Sequence, residues 1–173
     1  NPLADLPHAL PAYAWPDPDD PRICDQIKLQ ARGWDRETAF LVGSHRDTLW
    51  EKSYMLGGME SMMVSFYTAP DAVRELLRGI MDFHLGIARH YIAAGVEMVG
   101  MSDDLGTQQG LLLSPAIIHR FFVPEYRRLF DFYKAHDVLI NFHSCGHITP
   151  LVETFIDLGV DILNPVQATA NDL

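Results

Sequence analysis

Hydrophobic positions along this chain follow two alternating rhythms. Short runs at 39–43, 96–101, 138–142 and 161–163 are apolar nearly throughout and read as strands buried on both faces. Between them lie longer stretches with a helical period. The clearest is 71–94, where Val73, Leu76, Leu77, Ile80, Phe83, Ile87 and Tyr91 recur on one face, with Pro70 and Asp71 at the start and Gly95 at the end. A shorter helix is predicted over 23–34, and 49–66 reads as two helical pieces broken at Gly57-Gly58. Ser114 as N-cap and Pro115 at the first helical position open a helix running to about 136, which Pro124 interrupts. The last helix, 148–158, closes at Gly159.

Strands separated by helical crossovers predict an α/β fold with a parallel sheet. The sheet is either doubly wound or part of a (β/α)₈ TIM barrel. No Gly-rich phosphate loop follows the first strand, which weakens the dinucleotide-binding alternative. The strand ends favour the barrel. They read Ser44-His45-Arg46-Asp47, Ser102-Asp103-Asp104, His143-Ser144-Cys145 and Asn164-Pro165-Val166-Gln167, all chemically able residues. In a barrel such ends ring one mouth, where active sites sit.

The first 22 residues differ in kind. Pro2, Pro7, Pro11, Pro16, Pro18 and Pro21, with Asp17, Asp19 and Asp20, predict an extended segment over the domain surface, anchored by Tyr13 and Trp15. The chain thus divides into this segment, 1–22, and an α/β unit, 23–173. A length of 173 residues with 48% hydrophobic content supports one core. A net charge of −10 argues against general affinity for nucleic acid or anionic membrane. No apolar run is long enough to cross a bilayer, and two isolated cysteines suit a reducing cytoplasm. The chain opens without Met and stops just after an apparent strand, so it reads as a piece of something longer.

The most specific chemistry lies in His143-Ser144-Cys145-Gly146, directly after a strand. An imidazole and a thiolate two residues apart can turn to one point, and Zn²⁺ favours that pair. The plain alternative is a buried polar His beside a small buried Cys.

Several motifs together resemble the uroporphyrinogen decarboxylase superfamily. They are Ser102-Asp103-Asp104-Leu105-Gly106-Thr107-Gln108-Gln109-Gly110, then Leu-Ser-Pro with Phe121-Phe122 and Pro124, His143-Ser144-Cys145-Gly146-His147, and Gly159 through Gln167. The resemblance covers roughly 38–170 and implies a (β/α)₈ barrel of about twice this length, of which the chain is the middle half. It also implies one of two chemistries. One is metal-free decarboxylation of uroporphyrinogen III in tetrapyrrole (heme) biosynthesis. The other is methyl transfer among corrinoids, thiols and methyl donors, with zinc on a His-x-Cys pair and a later Cys.

On that resemblance His143 and Cys145 are the metal ligands, with a third lying outside this chain. Zinc there would hold a substrate thiol as thiolate for a methyl group on cobalt. Asp103 and Asp104 are the candidate catalytic residues, orienting the imidazole, taking a substrate proton or holding a donor; alternatively they cap the following turn. Tyr54, in Tyr54-Met55-Leu56-Gly57-Gly58, matches a Tyr that contacts the tetrapyrrole in the decarboxylases. Tyr54, His45, Arg46, Gln108, Asn164 and Gln167 are the candidate substrate contacts. His147 is expected to cap the helix near Ile148, and Met55, Met59, Met62 and Met63 to fill core.

Decarboxylases carry a small hydroxyl residue where Asp103 stands and lack the His-x-Cys pair, which favours the methyltransferase branch. A carboxylate in the mouth is also awkward beside a substrate with eight of its own. The expected partners are a corrinoid protein and a small methyl donor or acceptor, with a homodimer allowed. A third alternative is a barrel that binds a tetrapyrrole or corrinoid without catalysis. Alone, a partial barrel with open sheet edges is expected to be inactive and prone to aggregate.

Overall fold

The computed structural model describes residues 1–171; positions 172 and 173 of the expected α/β unit lie outside the described residues. Its centre is a sheet of four strands, β1 (Val42–His45), β2 (Met98–Ser102), β3 (Leu139–His143) and β4 (Ile162–Asn164). All pairs are parallel and the strand order is the chain order. A doubly wound sheet reverses direction at a switch point, whereas this sheet advances one way only, the progression of a (β/α)₈ barrel. The fold is a partial TIM barrel.

The first strand begins three residues later than the hydrophobic run suggests, and Ala39 and Phe40 precede it in irregular chain. The connection from β1 to β2 holds α3 (Trp50–Gly57), α4 (Met59–Thr68) and α5 (Pro70–Ala94). Gly58, with φ +90°, breaks the first two apart, and Gly95 ends α5 in the left-handed conformation. Between β2 and β3, Ser114 accepts the Ile117 N–H and starts α6 (Pro115–Ile117). The helix then widens to a π turn over Ile118–Phe122 before α7 (Val123–Lys134). Pro124, which has no N–H to give, thus falls in the first turn of a new segment rather than inside a helix. α8 (Val152–Asp157) precedes β4.

The strands are not apolar on both faces. Val99, Met101, Ile140 and Phe142 are buried under α5 and α7, against Leu76, Leu77, Tyr126, Leu129 and Phe130. The opposite face carries Ser44, Gly100 and Asn141 in one register layer and Ser102, His143 and Asn164 in the next, nearer the mouth. Below them Val42 and Leu139 are 46% and 39% exposed, on the side that faces the barrel interior.

The proline-rich start is not simply extended. Residues Leu6–Ala9 form α1 and Leu10–Ala12 a 3₁₀ turn, because Pro7 and Pro11 occupy first-turn positions that need no N–H. Leu3, Leu6 and Leu10 are buried in the same core as the sheet. After α2 (Pro21–Arg32) the chain enters β1. Trp15 and Pro18 lie on Gly79 and Gly86 of α5, so close that an added Cβ would meet them at 2.1 and 2.4 Å. Seven residues apart, these glycines form one track on the helix for the strap.

Candidate functional site

Strand alternation decides what reaches the mouth. In β3 and its continuation, Phe142 and Ser144 turn to the covered side and are buried, while His143 and Cys145 are half-exposed on the interior side. The loop is held from both sides. Ser144 Oγ accepts the Leu105 N–H at 3.1 Å, the Cys145 N–H donates to Asp104 Oδ1 at 2.9 Å, and the Gly146 N–H donates to Gln167 Oε1 at 3.0 Å. Gly146 has φ +82°, and a Cβ on it would stand 2.4 Å from the Gly106 carbonyl carbon. Only two glycines let the loops after β2 and β3 cross this closely.

His143 is oriented by its neighbours. Asn164 donates Nδ2–H to Asn141 Oδ1 at 2.5 Å, which turns its own Oδ1 toward His143 Nδ1 at 2.9 Å. A carbonyl oxygen only accepts, so Nδ1 carries the proton and Nε2 keeps its lone pair. Nε2 stands 3.2 Å from Cys145 Sγ and 3.7 Å from Asp104 Oδ1. The ligand atoms of Asp104, His143 and Cys145 all lie within 4.8 Å of one another. Tetrahedral zinc with ordinary bond lengths places N and S ligands about 3.5 Å apart, so the donor set matches in type and spacing. Burial pushes the Cys145 thiol up, and the Asp104 carboxylate pushes it further. A thiolate and a carboxylate so close repel unless a cation lies between them.

The opposite wall is formed by Arg46, Asp47 and Glu51, and the cavity between the walls holds about 410 Å³. Burial raises the Glu51 carboxyl, and Asp104 adds to it. The Tyr54 hydroxyl donates to Glu51 Oε1 at 3.3 Å, while its ring packs edge-on to Trp50. Glu51 was not foreseen as a site residue; its place two residues into the helix that follows β1 was the available signal.

Other candidates belong elsewhere. Asp103 is completely buried away from the mouth. Its Oδ2 accepts the N–H groups of Leu49 and Trp50 at 2.9 and 2.7 Å and its Oδ1 that of Glu51 at 2.8 Å, and the Tyr126 hydroxyl donates to Oδ2. It caps the N-terminus of α3 from a neighbouring loop, in keeping with the capping alternative for this pair of aspartates. Burial raises its carboxyl to about 7 against these hydrogen bonds.

His45 is also buried, on the helix side of β1. Its Nδ1 meets His84 Nδ1 at 2.9 Å and its Nε2 meets the Tyr133 hydroxyl at 2.6 Å, so both ring nitrogens are spent within the framework although the residue borders the cavity. Gln108 sits on the exposed Thr107–Gly110 turn, outside the cavity lining, and Gln167 spends its amide oxygen on Gly146. His147 does not cap the following helix; it bonds the Ala170 carbonyl, and Asn171 Oδ1 accepts the Ile148 and Thr149 N–H groups instead. Met62 is core, but Met55 and Met59 are 44% and 41% exposed.

The model of the uroporphyrinogen decarboxylase (URO-D) family matches residues 48–169, more than half of the chain. The chain belongs to this family. No curated protein matches it. Among solved structures, a methyltransferase from Methanosarcina mazei superposes with a TM-score of 0.69 at 18% identity, covering 91% of this chain and 45% of that one. The family member described here therefore spans less than half the length of that structure, and the likeness is one of fold. Among its described residues no helix is long and apolar enough to cross a membrane.

Proposed function

We propose that the protein is a methyltransferase of the URO-D family that uses zinc held by His143, Cys145 and Asp104 to pass a methyl group between a corrinoid and a thiol or other small methyl carrier. The observation that carries this is the convergence of those three side chains at the barrel mouth within 4.8 Å, with the His143 Nε2 lone pair turned into the cluster. Zinc on such a set supplies Lewis acidity that makes a coordinated thiol a thiolate at neutral pH. The protein's own part is positional. Asn164 fixes the His143 tautomer, and Asp104 fixes the Cys145 backbone as well as offering an oxygen. Glu51, with its carboxyl raised, can hold or take a proton across the cavity, and Tyr54 orients it. In this reading a further ligand from outside this chain would join His143 and Cys145, and Asp104 would give up its place to the substrate thiol.

Porphyrinogen decarboxylation is the second reading, favoured by the description of the family itself. Asp47, Glu51 and Asp104 on one mouth count against it, because they repel a polycarboxylate. A corrinoid protein as methyl carrier, a homodimeric state and a cytoplasmic setting, the last supported by two unpaired cysteines, belong to the same proposal.

The test is zinc content of the full-length protein and its Cys145→Ser variant, followed by thiol-dependent demethylation of methylcobalamin. About one zinc per chain, lost in the variant, with transfer that follows it, supports the proposal. Zinc-free protein that decarboxylates uroporphyrinogen III overturns it.

A further inference from the structure

A second cleft of about 410 Å³ lies beside the mouth, between the N-terminal strap, β1 and α5. Its walls are mainly apolar and aromatic, from Trp15, Phe83, Ile87 and Tyr91. Its floor contains His45 and His84, and the hydrogen bonds there fix both rings. His84 Nε2 faces the Thr48 carbonyl at 2.8 Å and therefore carries a proton, so its Nδ1 accepts from His45 Nδ1–H. His45 Nε2 then accepts from the Tyr133 hydroxyl. Every ring nitrogen is used, and both rings are neutral. The floor has no donor left for a ligand.

Polar recognition is concentrated at one end, in Arg46 and Lys52. Lys52 has only a loose pairing, 3.7 Å from Asp47. Arg46 is exposed and makes no ion pair among the described residues. Beside the aromatic slot, an exposed guanidinium without an ion pair among the described residues and a weakly paired ammonium supply the positive charge that an anion would meet. Arg46 and Ser44 also line the mouth, so the two cavities meet there.

From this geometry we infer that the cleft is a binding site for an amphipathic small anion: an aromatic or similarly flat apolar body in the Trp15–Phe83–Tyr91 slot, with one carboxylate or sulfonate on Arg46 and Lys52. The volume is within the range of small-molecule clefts, about 300–1,000 Å³. Guanidinium donors suit a planar carboxylate in two-point contact. The inference stands apart from methyl transfer and needs no metal.

Isothermal titration of the full-length protein with naphthalene-2-carboxylate, and with the neutral 2-naphthalenemethanol, tests it. The carboxylate binds saturably and the alcohol at least about tenfold more weakly, since a charge-assisted contact is lost. Arg46→Gln weakens the carboxylate by about tenfold and leaves alcohol binding and the melting temperature unchanged, which also shows that the variant is folded. Gly79→Leu, which displaces Trp15 from its seat on α5, weakens both probes. Absence of saturable binding, equal affinity for acid and alcohol, or indifference to Arg46→Gln overturns the site. None of these outcomes bears on zinc, so the two proposals fail separately.

Discussion

Asp103 and Asp104 are neighbours in sequence and live in different chemistries. Asp103 turns under the helices, where it is sealed and four donors converge on it. Asp104 turns to the open mouth, where it shares a cluster with a histidine and a cysteine. Burial alternates in the same way between His45 and Arg46 and between Ser144 and Cys145. Beneath the helices lies a polar frame in which, among the described residues, the Trp50 indole N–H alone has no side-chain or backbone partner; on the other side of the same strand ends lies a mouth whose donors are held in place but not used up. The frame is what a catalytic loop needs in order to stay put, and the mouth is what it needs in order to react.

The frame gives the largest expected effect. Asp103→Ala strands three buried N–H groups at the start of α3, together with the Tyr126 hydroxyl. It should cost about 3–5 kcal/mol of stability, read from the shift in denaturant midpoint. Phe142→Ala, in the centre of the covered face, should cost a similar 3–5 kcal/mol or so, again by denaturant midpoint.

Acidification separates members of the frame. Burial lowers His84 to about 4 from its ordinary 6.5, so the stability it contributes is present above 6.5 and is lost as pH falls toward 4. That amounts to roughly 3 kcal/mol. His45 is also lowered, by burial first and His84 second, and acts in the same direction. Asp103 acts oppositely: with its carboxyl raised to about 7, it binds its proton more readily folded than unfolded and gains stability as pH falls from 7 toward its ordinary 3.8. The wild-type profile is therefore partly cancelled. Urea unfolding between pH 4 and 8 should show a shallower acid loss for His84→Gln and a steeper one for Asp103→Asn.

The mouth gives the smallest effect on stability. Asn164→Ala removes the acceptor that holds the His143 Nδ1 proton, and zinc affinity should fall about 10–100-fold by competition with a chelator. Metal-free stability should move by about 1 kcal/mol or less.

Much of this was legible in the sequence, and the unread parts share a cause. The four strands, the break at Gly57-Gly58, and the His143–Cys145 pair follow from periodicity, a breaker dipeptide and ligand spacing. The frame does not. Two consecutive carboxylates look alike until the loop's turn decides which one points to α3. His84 lies on the apolar stripe of its helix, between Ile80 and Ile87, but nothing local shows that His45 and the Thr48 carbonyl satisfy it there. The prolines of the strap suggested an extended chain, but Pro7 and Pro11 sit where a helical turn tolerates them, and buried leucines reward the turn. Gln167 and Asn171 bond across to the loop after β3, a long-range match that no local pattern displays.

The most direct test of this division is zinc per chain in the full-length protein, compared between Asp103→Asn and Asp104→Asn, with the melting temperature of each metal-free form. The account predicts that Asp104→Asn loses zinc affinity while melting like the wild type, and that Asp103→Asn melts lower while its folded fraction keeps the metal. Zinc retained undiminished in Asp104→Asn, or absent from the wild-type protein, would contradict it.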